Sequence, residues 1–181
     1  KAEAAVDRLR PELWEQRSEH LYSHESLTDA VARAKDIPDG PTILLDHADN
    51  PGSGGNQDVM TVIEEVIRQG LDDVAVGGLW DPEAVQQMQA AGIDATVTVA
   101  LGGKTDMPSI ERKGEPLLVT GKVTVLTNGE WTVRGPMYNG LVVQMGPTAV
   151  LDTGKMQIVV VSRHHEPWDQ GIFLSVGIDP A

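Results

Sequence analysis

The chain has 181 residues, of which 40% are apolar, so it is long enough to form one sizeable hydrophobic core. Its formal net charge of −13 excludes nucleic acid as a partner, because duplex binding needs clustered Lys and Arg, and no apolar run approaches the ~18 residues of a membrane span. The absence of cysteine excludes disulfides, cysteine-based zinc sites and cysteine nucleophiles, and it fits a cytoplasmic protein without membrane contact.

The first part of the chain has helical periodicity. Residues 2–21 predict a helix that Pro11 should bend. Its apolar face consists of Val6, Leu9, Leu13 and Trp14. Ser26 and Asp29 have the spacing of a capping box, which predicts a second, short helix that ends near Ala34.

We interpret residues 1–181 as a single domain in which residues 1–36 form a helical lead-in. Lys1 begins inside a helical pattern, and the chain stops at Ala181 just after a segment that reads as continuing. We therefore expect this domain to be excised from a larger two-domain protein.

Residues 42–101 alternate strand and helix signals. Asp81 and Pro82 are typical of an N-cap and a first helical position, while Gly70 and Gly92 are typical of helix ends. The predicted elements are a strand at 42–46, a helix at 59–69, a strand at 74–80, a helix at 82–91 and a strand at 95–101. This order predicts the α/β fold class, with a three-layer-like β-α-β-α-β parallel core over residues 42–101.

The second half of the chain is rich in strand signals. Asn128 and Gly129 lie between two apolar runs and predict a β-hairpin. The predicted strands are 117–126, 131–133, 141–145, 149–152 and 156–162. A short helix is expected within residues 168–176. We expect this half to extend the core with antiparallel or mixed strands.

The stretch LLDHADNPGSGGN, residues 44–56, is a Gly-rich loop between a predicted strand and a predicted helix. Such a loop can bind a phosphate through backbone amides. The dinucleotide fingerprint needs a third glycine, but Gln57 stands there, and a P-loop would need Gly-Lys-Ser/Thr before its helix. Asp46, Asp49 and Asp58 would also repel a phosphate. Phosphate binding is therefore disfavoured, and it is kept only as the weakest alternative.

Gly102, Gly103, Lys104 and Thr105 repeat the end of a P-loop motif, but the position five residues before Gly103 is Thr98 instead of glycine. We interpret this segment as a loop that follows a strand and exposes Lys104 near the edge of the sheet. Substrate contact by Lys104 is the alternative.

The histidines do not form a recognisable metal site. His20 and His24 would share one helix face, but Leu21 stands where a zincin needs glutamate. His164 and His165 are adjacent at a predicted strand end, so their side chains should diverge, and their roles stay open. No three-ligand set and no Gly-x-Ser-x-Gly elbow is present. We predict no catalytic residue, metal site or cofactor in this chain.

The loops after Asp46, Trp80 and Leu101 should cluster at one edge of the predicted sheet, since the carboxyl ends of parallel strands meet there. Ligands bind at this edge in open α/β sheets. The residue pattern alone does not specify a ligand.

Three segments carry a family resemblance: LLDHADNPGSGGNQD, GLWDPEAVQQMQAAGIDATVTVALGGK and SRHHEPWDQGIFLSVGIDP. In this order and spacing they resemble the C-terminal domain of the MlrC family, zinc metallopeptidases named for the enzyme that cleaves linearised microcystin. The likeness covers nearly the whole chain. His47 departs from the family, in which an apolar residue is common at that position.

The resemblance implies a two-domain protein whose N-terminal domain supplies zinc ligands of Asp, His and Glu type. Zinc is thus expected in the full-length protein, where metal-activated water would attack a peptide carbonyl. The loops of this domain would face the cleft between the domains, and Arg163 would be a carboxylate-binding cation. The substrate-cleft candidates implied in this way are Asp46, His47, Asp49, Asn50, Gly52, Gly54, Trp80, Asp81, Lys104 and Arg163.

Residue chemistry agrees with this placement. Glycine lets backbone amides approach a peptide or carboxylate closely, and Asp49 and Asn50 can brace such a loop through bonds from side chain to backbone. The leading hypothesis is the C-terminal domain of a zinc-dependent peptidase or amidohydrolase, inactive alone, whose partners are its own N-terminal domain and a small peptide or amide substrate. The alternative is a non-catalytic binding or assembly domain. An Asp-x-His pair with a further His and a Glu in the upstream sequence would favour the enzyme.

Overall fold

This computed structural model describes residues 2–21, 23–46 and 49–180. The α-helices among them are α1 (Ala2–Glu15), α2 (Leu27–Asp36), α3 (Thr61–Gln69), α4 (Pro82–Ala91) and α5 (Gly171–Leu174). The strands are β1 (Val74–Trp80), β2 (Thr96–Leu101), β3 (Leu117–Thr127), β4 (Glu130–Thr132), β5 (Val142–Gln144), β6 (Thr148–Asp152) and β7 (Met156–Val161). None of the described helices is long and apolar enough to cross a membrane.

Three predicted helix boundaries are confirmed by their caps. The Ser26 hydroxyl accepts a hydrogen bond from the Asp29 amide at 3.1 Å and begins α2. The Asp81 carboxylate accepts one from the Ala84 amide at 2.9 Å and begins α4. α3 ends at Gly70, whose φ of 68° is a left-handed conformation that glycine adopts without strain.

The first helix is shorter than its periodicity predicts. α1 ends at Glu15 instead of near residue 21, with Pro11 in its interior. The Arg17 guanidinium donates to the Trp14 carbonyl at 2.7 Å, so it satisfies one of the carbonyls that a helix end leaves without a partner.

Five strands form one mixed sheet in the order β1-β7-β6-β3-β2. β1 and β7 are parallel, and the other neighbouring pairs are antiparallel. The predicted α/β class and the mixed character of the second half are confirmed. The expected parallel core over residues 42–101 is wrong, because three strands from the second half separate β1 from β2. β7 is an almost continuous apolar run, which is typical of a central strand buried on both faces.

Residues 42–46 were expected to form a strand, but the structure has none there. Within the described part of the chain, no backbone hydrogen bond joins residues 42–45 to another segment. Leu44 packs against the core, whereas Ile43 and Leu45 are 75% and 83% exposed. The alternating pattern thus places one side chain inward, but without ladder partners it forms no strand.

β3 changes its partner along its length, and the sheet curves there. Residues 117–122 pair with β2 and residues 122–127 pair with β6, with a bulge after Val123. In a flat sheet this pairing would place the ends of β1 and β2 far apart, yet the Gly102 amide donates to the Asp81 carboxylate at 2.9 Å. The sheet therefore folds back at β3, and α4 contacts β2 as well as β6 and β7.

The hairpin predicted at Asn128 and Gly129 is also wrong, because β4 pairs with β5 in a separate two-stranded sheet. A type I′ hairpin turn needs positive φ at both central residues, but of these two only Gly129 has it. The Asn128 side chain instead accepts a hydrogen bond from the Glu130 amide at 3.2 Å. The turn therefore directs the chain out of the main sheet.

Apolar clusters cover both faces of the main sheet, which gives the expected layered arrangement. In β7, Ile158 and Val160 point to the cluster that contains residues of α2, α3 and α4. Val159 and Val161 point to the other cluster, which contains residues of β4, β5 and α5. This alternation follows from the two-residue period of a strand.

Met88 on α4 provides a test of this packing, because its side chain is fully buried. We expect Met88→Ala to lower the free energy of unfolding by about 2–5 kcal/mol, through lost apolar burial and the cavity that remains. The neighbouring substitution Gln89→Ala, at an exposed position of the same helix, should change it by less than ~0.5 kcal/mol. Urea unfolding of both variants measures the difference, and equal effects would contradict the fold.

Candidate functional site

Four loop segments meet at one edge of the molecule: residues 49–59, 80–83, 102–105 and 162–169, which we call the loop edge. The Trp80 amide donates to the Gln57 carbonyl at 2.7 Å, and the Gly103 amide donates to the Asp58 carbonyl. The expected meeting of these loops is therefore confirmed for their described part. The reason given for it is wrong, because residues 42–46 form no strand and β2 runs antiparallel to β1.

Asp49 holds the loop that precedes α3. Its carboxylate accepts hydrogen bonds from the Gln57 amide at 2.7 Å and from the Val59 amide at 2.9 Å. Burial raises the pKa of Asp49 above its ordinary value and outweighs these two hydrogen bonds, which lower it. The nearby charges of Asp46 and Asp58 raise it further. The predicted bracing role of Asp49 is confirmed.

Asn50 organises the glycine turn. Its side-chain oxygen accepts from the Gly52 amide at 2.7 Å, and its carbonyl accepts from the amides of Ser53 and Gly55 at 3.1 and 2.8 Å. Gly54, with φ of 89°, ends the turn in a left-handed conformation. Because these amides are used within the loop, few of them can bind an anion. The bracing expected of Asn50 is confirmed, and phosphate binding by the amides of this loop is further disfavoured.

Gly52 lies directly against the Glu166 carboxylate. A Cβ atom at Gly52 would overlap the Glu166 carboxylate, so a larger residue at this position would displace that side chain. The same carboxylate accepts hydrogen bonds from the Asn50 amide group and from the Trp168 indole, both at 3.2 Å. The Gly-rich loop is thus joined to a segment more than one hundred residues away in the sequence.

Gln57 connects three segments of the loop edge. It is buried and adopts a φ of 60°, which is uncommon for a residue with a side chain. Its side-chain nitrogen donates to the Gly78 carbonyl and, at 2.7 Å, to the His165 carbonyl. Its side-chain oxygen accepts from the His165 amide at 3.1 Å. One side chain therefore connects the loop, β1 and the segment after β7.

The two adjacent histidines have different surroundings. His164 stacks on Trp80 with ring centroids 4.3 Å apart and an interplanar angle of 22°. His165 packs edge-on against Trp131 and Trp168, and its Nε2 is buried without a hydrogen-bond partner in the described structure. The divergence predicted for these side chains is confirmed. The Trp80 indole donates to the backbone after β7 at 3.3 Å, which fixes the stacked ring.

Asp81 and Lys104 form a partly buried ion pair. The Lys104 ammonium lies 2.9 Å from the Asp81 carboxylate, which is itself buried, and 2.9 Å from that of Glu83. Burial lowers the pKa of Lys104, whereas the hydrogen bonds to Glu83 and Asp81 raise it. The raising effect outweighs burial, so the pKa of Lys104 lies above its ordinary value. Lys104 therefore connects two loops in this structure, and substrate contact by Lys104 stays a prediction.

The remaining candidates are placed as follows. Arg163 is exposed, and no ion pair to its guanidinium occurs in the described part of the chain. Asp46 is half-buried, and its carbonyl accepts from the Asp49 amide at 3.4 Å. His47 lies outside the described residues. That any of these positions lines a substrate cleft stays a prediction.

The side chains that the structure describes do not fit a zinc site. No group of three or more His, Asp or Glu side chains able to hold a metal ion occurs within residues 2–21, 23–46 and 49–180. Three carboxylates of the loop edge accept backbone amides instead, namely those of Asp49, Asp58 and Asp81. The expectation that this chain carries no metal site stays a prediction.

Sequence reasoning missed Gln57, Asp58 and Glu166. Asp58 is buried and its carboxylate accepts the amides of Lys104 and Thr105 at 3.0 and 2.9 Å. Glu166 stands within a motif that carries the family resemblance, which was the one available signal. Gln57 and Asp58 stand at the end of another such motif, LLDHADNPGSGGNQD, but nothing in the sequence pattern indicated which contacts their side chains make.

Gln57→Leu tests the connection between the loop and the segment after β7. The substitution removes the side-chain partner of the buried Gly78 carbonyl and of the half-buried His165 carbonyl and amide, at roughly 1–3 kcal/mol for each fully buried group. We expect a loss of more than about 2 kcal/mol in the free energy of unfolding. Gln86→Leu, at an exposed position of α4, is the matched control. A loss no larger than that of the control would contradict the role of Gln57.

The surroundings of His165 predict a pH dependence. Burial lowers the pKa of His165, and the charges of Glu166 and Asp169 counteract this only in part. As the pH falls below the ordinary histidine pKa of about 6.5, His165 takes up a proton in the unfolded chain before it does so in the folded protein. The free energy of unfolding therefore decreases until the pH reaches the lower pKa of His165 in the folded protein. His165→Gln should remove this part of the acid-induced loss. The test is the free energy of unfolding of both proteins between about pH 7.5 and pH 5. If it decreases equally with falling pH in the two proteins, this role of His165 is refuted.

Comparison with known proteins places this geometry in a family. The curated protein Microcystinase C of Sphingomonas sp is 31% identical over 142 residues, which are 78% of this chain and 26% of that protein. A crystal structure described as "Putative metallopeptidase" from Mesorhizobium sp. BNC1 has the same fold, with a TM-score of 0.81 and 24% identity over 98% of this chain and 35% of its own. The chain thus spans about a quarter to a third of the length of these relatives. Residues 44–181 match the sequence model of the family described as "MlrC C-terminus", and the chain belongs to this family.

Proposed function

We propose that this chain forms one wall of the substrate cleft in a longer, zinc-dependent peptidase or amidohydrolase, and that it is inactive alone. The observation that carries the proposal is the convergence of the three family motifs on the loop edge, where the Gly-rich loop, the start of α4 and the segment after β7 are joined by hydrogen bonds. The names of the two relatives, a microcystinase and a metallopeptidase, support the reaction class.

The loop edge offers groups that suit a peptide or amide ligand. The exposed Arg163 guanidinium can bind a carboxylate or a carbonyl oxygen. The stacked rings of Trp80 and His164, the residue after Arg163, form a flat surface on which a planar amide can lie. Because the loops are held by buried hydrogen bonds, these groups are positioned before a ligand arrives.

The division of labour follows from the use of the carboxylates. Asp49, Asp58 and Asp81 accept backbone amides, so they are occupied by structural roles. The proposed zinc ligands would therefore lie in an N-terminal domain of the longer polypeptide, which is also the proposed partner of this chain. The cysteine-free sequence is compatible with the cytoplasmic location that belongs to this proposal.

A non-catalytic binding or assembly domain of the same fold is the second candidate. It is favoured by the same observation, that the buried acidic side chains of the loop edge serve the fold and leave few groups for proton transfer. The two candidates differ in one measurable property, which is hydrolysis by the longer polypeptide.

Activity measurements test the proposal. We expect the 181-residue chain with added zinc to hydrolyse no peptide, and the longer polypeptide with zinc to do so. In the longer polypeptide, Arg163→Ala should raise KM about tenfold with little change in kcat, because it removes binding that the ground and transition states share. Arg68→Ala is the matched control, since Arg68 lies on α3 and pairs with Glu65.

Two outcomes would overturn the proposal. Hydrolysis by the 181-residue chain alone would refute the division of labour. No hydrolysis by the zinc-loaded longer polypeptide over a broad set of peptides and amides would favour the binding or assembly domain.

A further inference from the structure

The apolar face of α1 has no cover in this chain. None of the side chains of α1 is buried, although the helix is 14 residues long. Four apolar side chains line one groove on it and are 44–69% exposed, namely Val6, Leu9, Leu13 and Trp14. An amphipathic helix normally buries such a stripe against the rest of its protein.

Physical chemistry requires a partner for this helix. Isolated helices of about 12–15 residues are marginal in water, so most helical stability in proteins comes from packing of the apolar face. Pro11 weakens α1 further, because its ring removes a backbone donor from the helix interior. The described residues supply no packing that would offset these costs.

We propose that the apolar face of α1 docks onto the part of the longer polypeptide that lies outside residues 1–181. This inference rests on the proposed function, since it assigns a surface to the domain that the proposal invokes. The matched crystal structure aligns with 98% of this chain but with only 35% of its own length, so a longer chain has ample surface to cover such a helix. The docking face is distinct from the loop edge.

Charge argues against a second copy of the chain as the occupant. The chain carries a net charge of −13, so two copies repel each other. Within α1 itself, acidic side chains outnumber basic ones, which are Arg8 and Arg10. The complementary surface should therefore be apolar at its centre and basic at its rim.

Hydrogen exchange on the 181-residue chain and on the longer polypeptide tests the docking. We expect the amides of residues 2–15 to exchange rapidly in the 181-residue chain. In the longer polypeptide the same amides should exchange about 100-fold more slowly, because docking suppresses local opening of the helix. Equal exchange in the two proteins overturns the inference.

Matched variants separate docking from mere helix formation. In the longer polypeptide, the double substitution of Leu9→Ala and Leu13→Ala keeps good helix formers but removes the apolar contacts, so most of the added protection should be lost. Arg8→Ala and Glu15→Ala lie on the opposite side of α1 by its 3.6-residue period and should leave the protection unchanged. Equal effects of both pairs would refute docking through this face.

Other outcomes identify a different occupant or a different failure. Sedimentation that shows a dimer of the 181-residue chain, abolished by the Leu9 and Leu13 substitutions, would overturn the inference in favour of a second copy. Hydrolysis is measured in the same preparations. Slow hydrogen exchange in α1 without hydrolysis supports the docking and contradicts the proposed function. Hydrolysis with rapid exchange in α1 supports the proposed function and contradicts the docking.

Discussion

The side-chain amide of Gln57 is the contact on which the geometry of the loop edge depends. It joins the loop before α3 to β1 and to the backbone of His165, and it does so from a left-handed backbone conformation that most residues avoid. Each group that its side chain contacts is a backbone amide or carbonyl, of Gly78 or of His165. The positions of the stacked Trp80 and His164 rings follow from this connection, because both residues flank the contacted segments.

Acidic side chains serve the same purpose at neighbouring positions. Asp49, Asp58 and Asp81 each accept two backbone amides, which belong to loops except for the amide of Ala84 in the first turn of α4. Part of the large acidic excess of this chain is therefore structural, because these carboxylates hold the loops of the loop edge together.

Local features of the fold could be predicted from the sequence, and pairings over long distances could not. The cap at Asp81 and the capping box at Ser26 are determined by residues within one turn, so their predictions are confirmed. The parallel partner of β1 is β7, which follows it by about eighty residues, and no local signal distinguishes that partner from β2. The loop edge shows the same limit. The bracing by Asp49 and Asn50 was predictable, but the contacts of Gln57 with His165 and of Asn50 with Glu166 span 108 and 116 residues.

The amide network of the Gly-rich loop has a thermodynamic consequence for recognition. The backbone amides of residues 52–55 already have partners within the loop and gain little by rearranging, so a ligand at this edge meets a segment that has little conformational entropy left to lose. Binding there should therefore come from side chains that point away from the loop, with a small entropic penalty. Selectivity would then reflect the shape of a fixed surface and owe little to induced ordering.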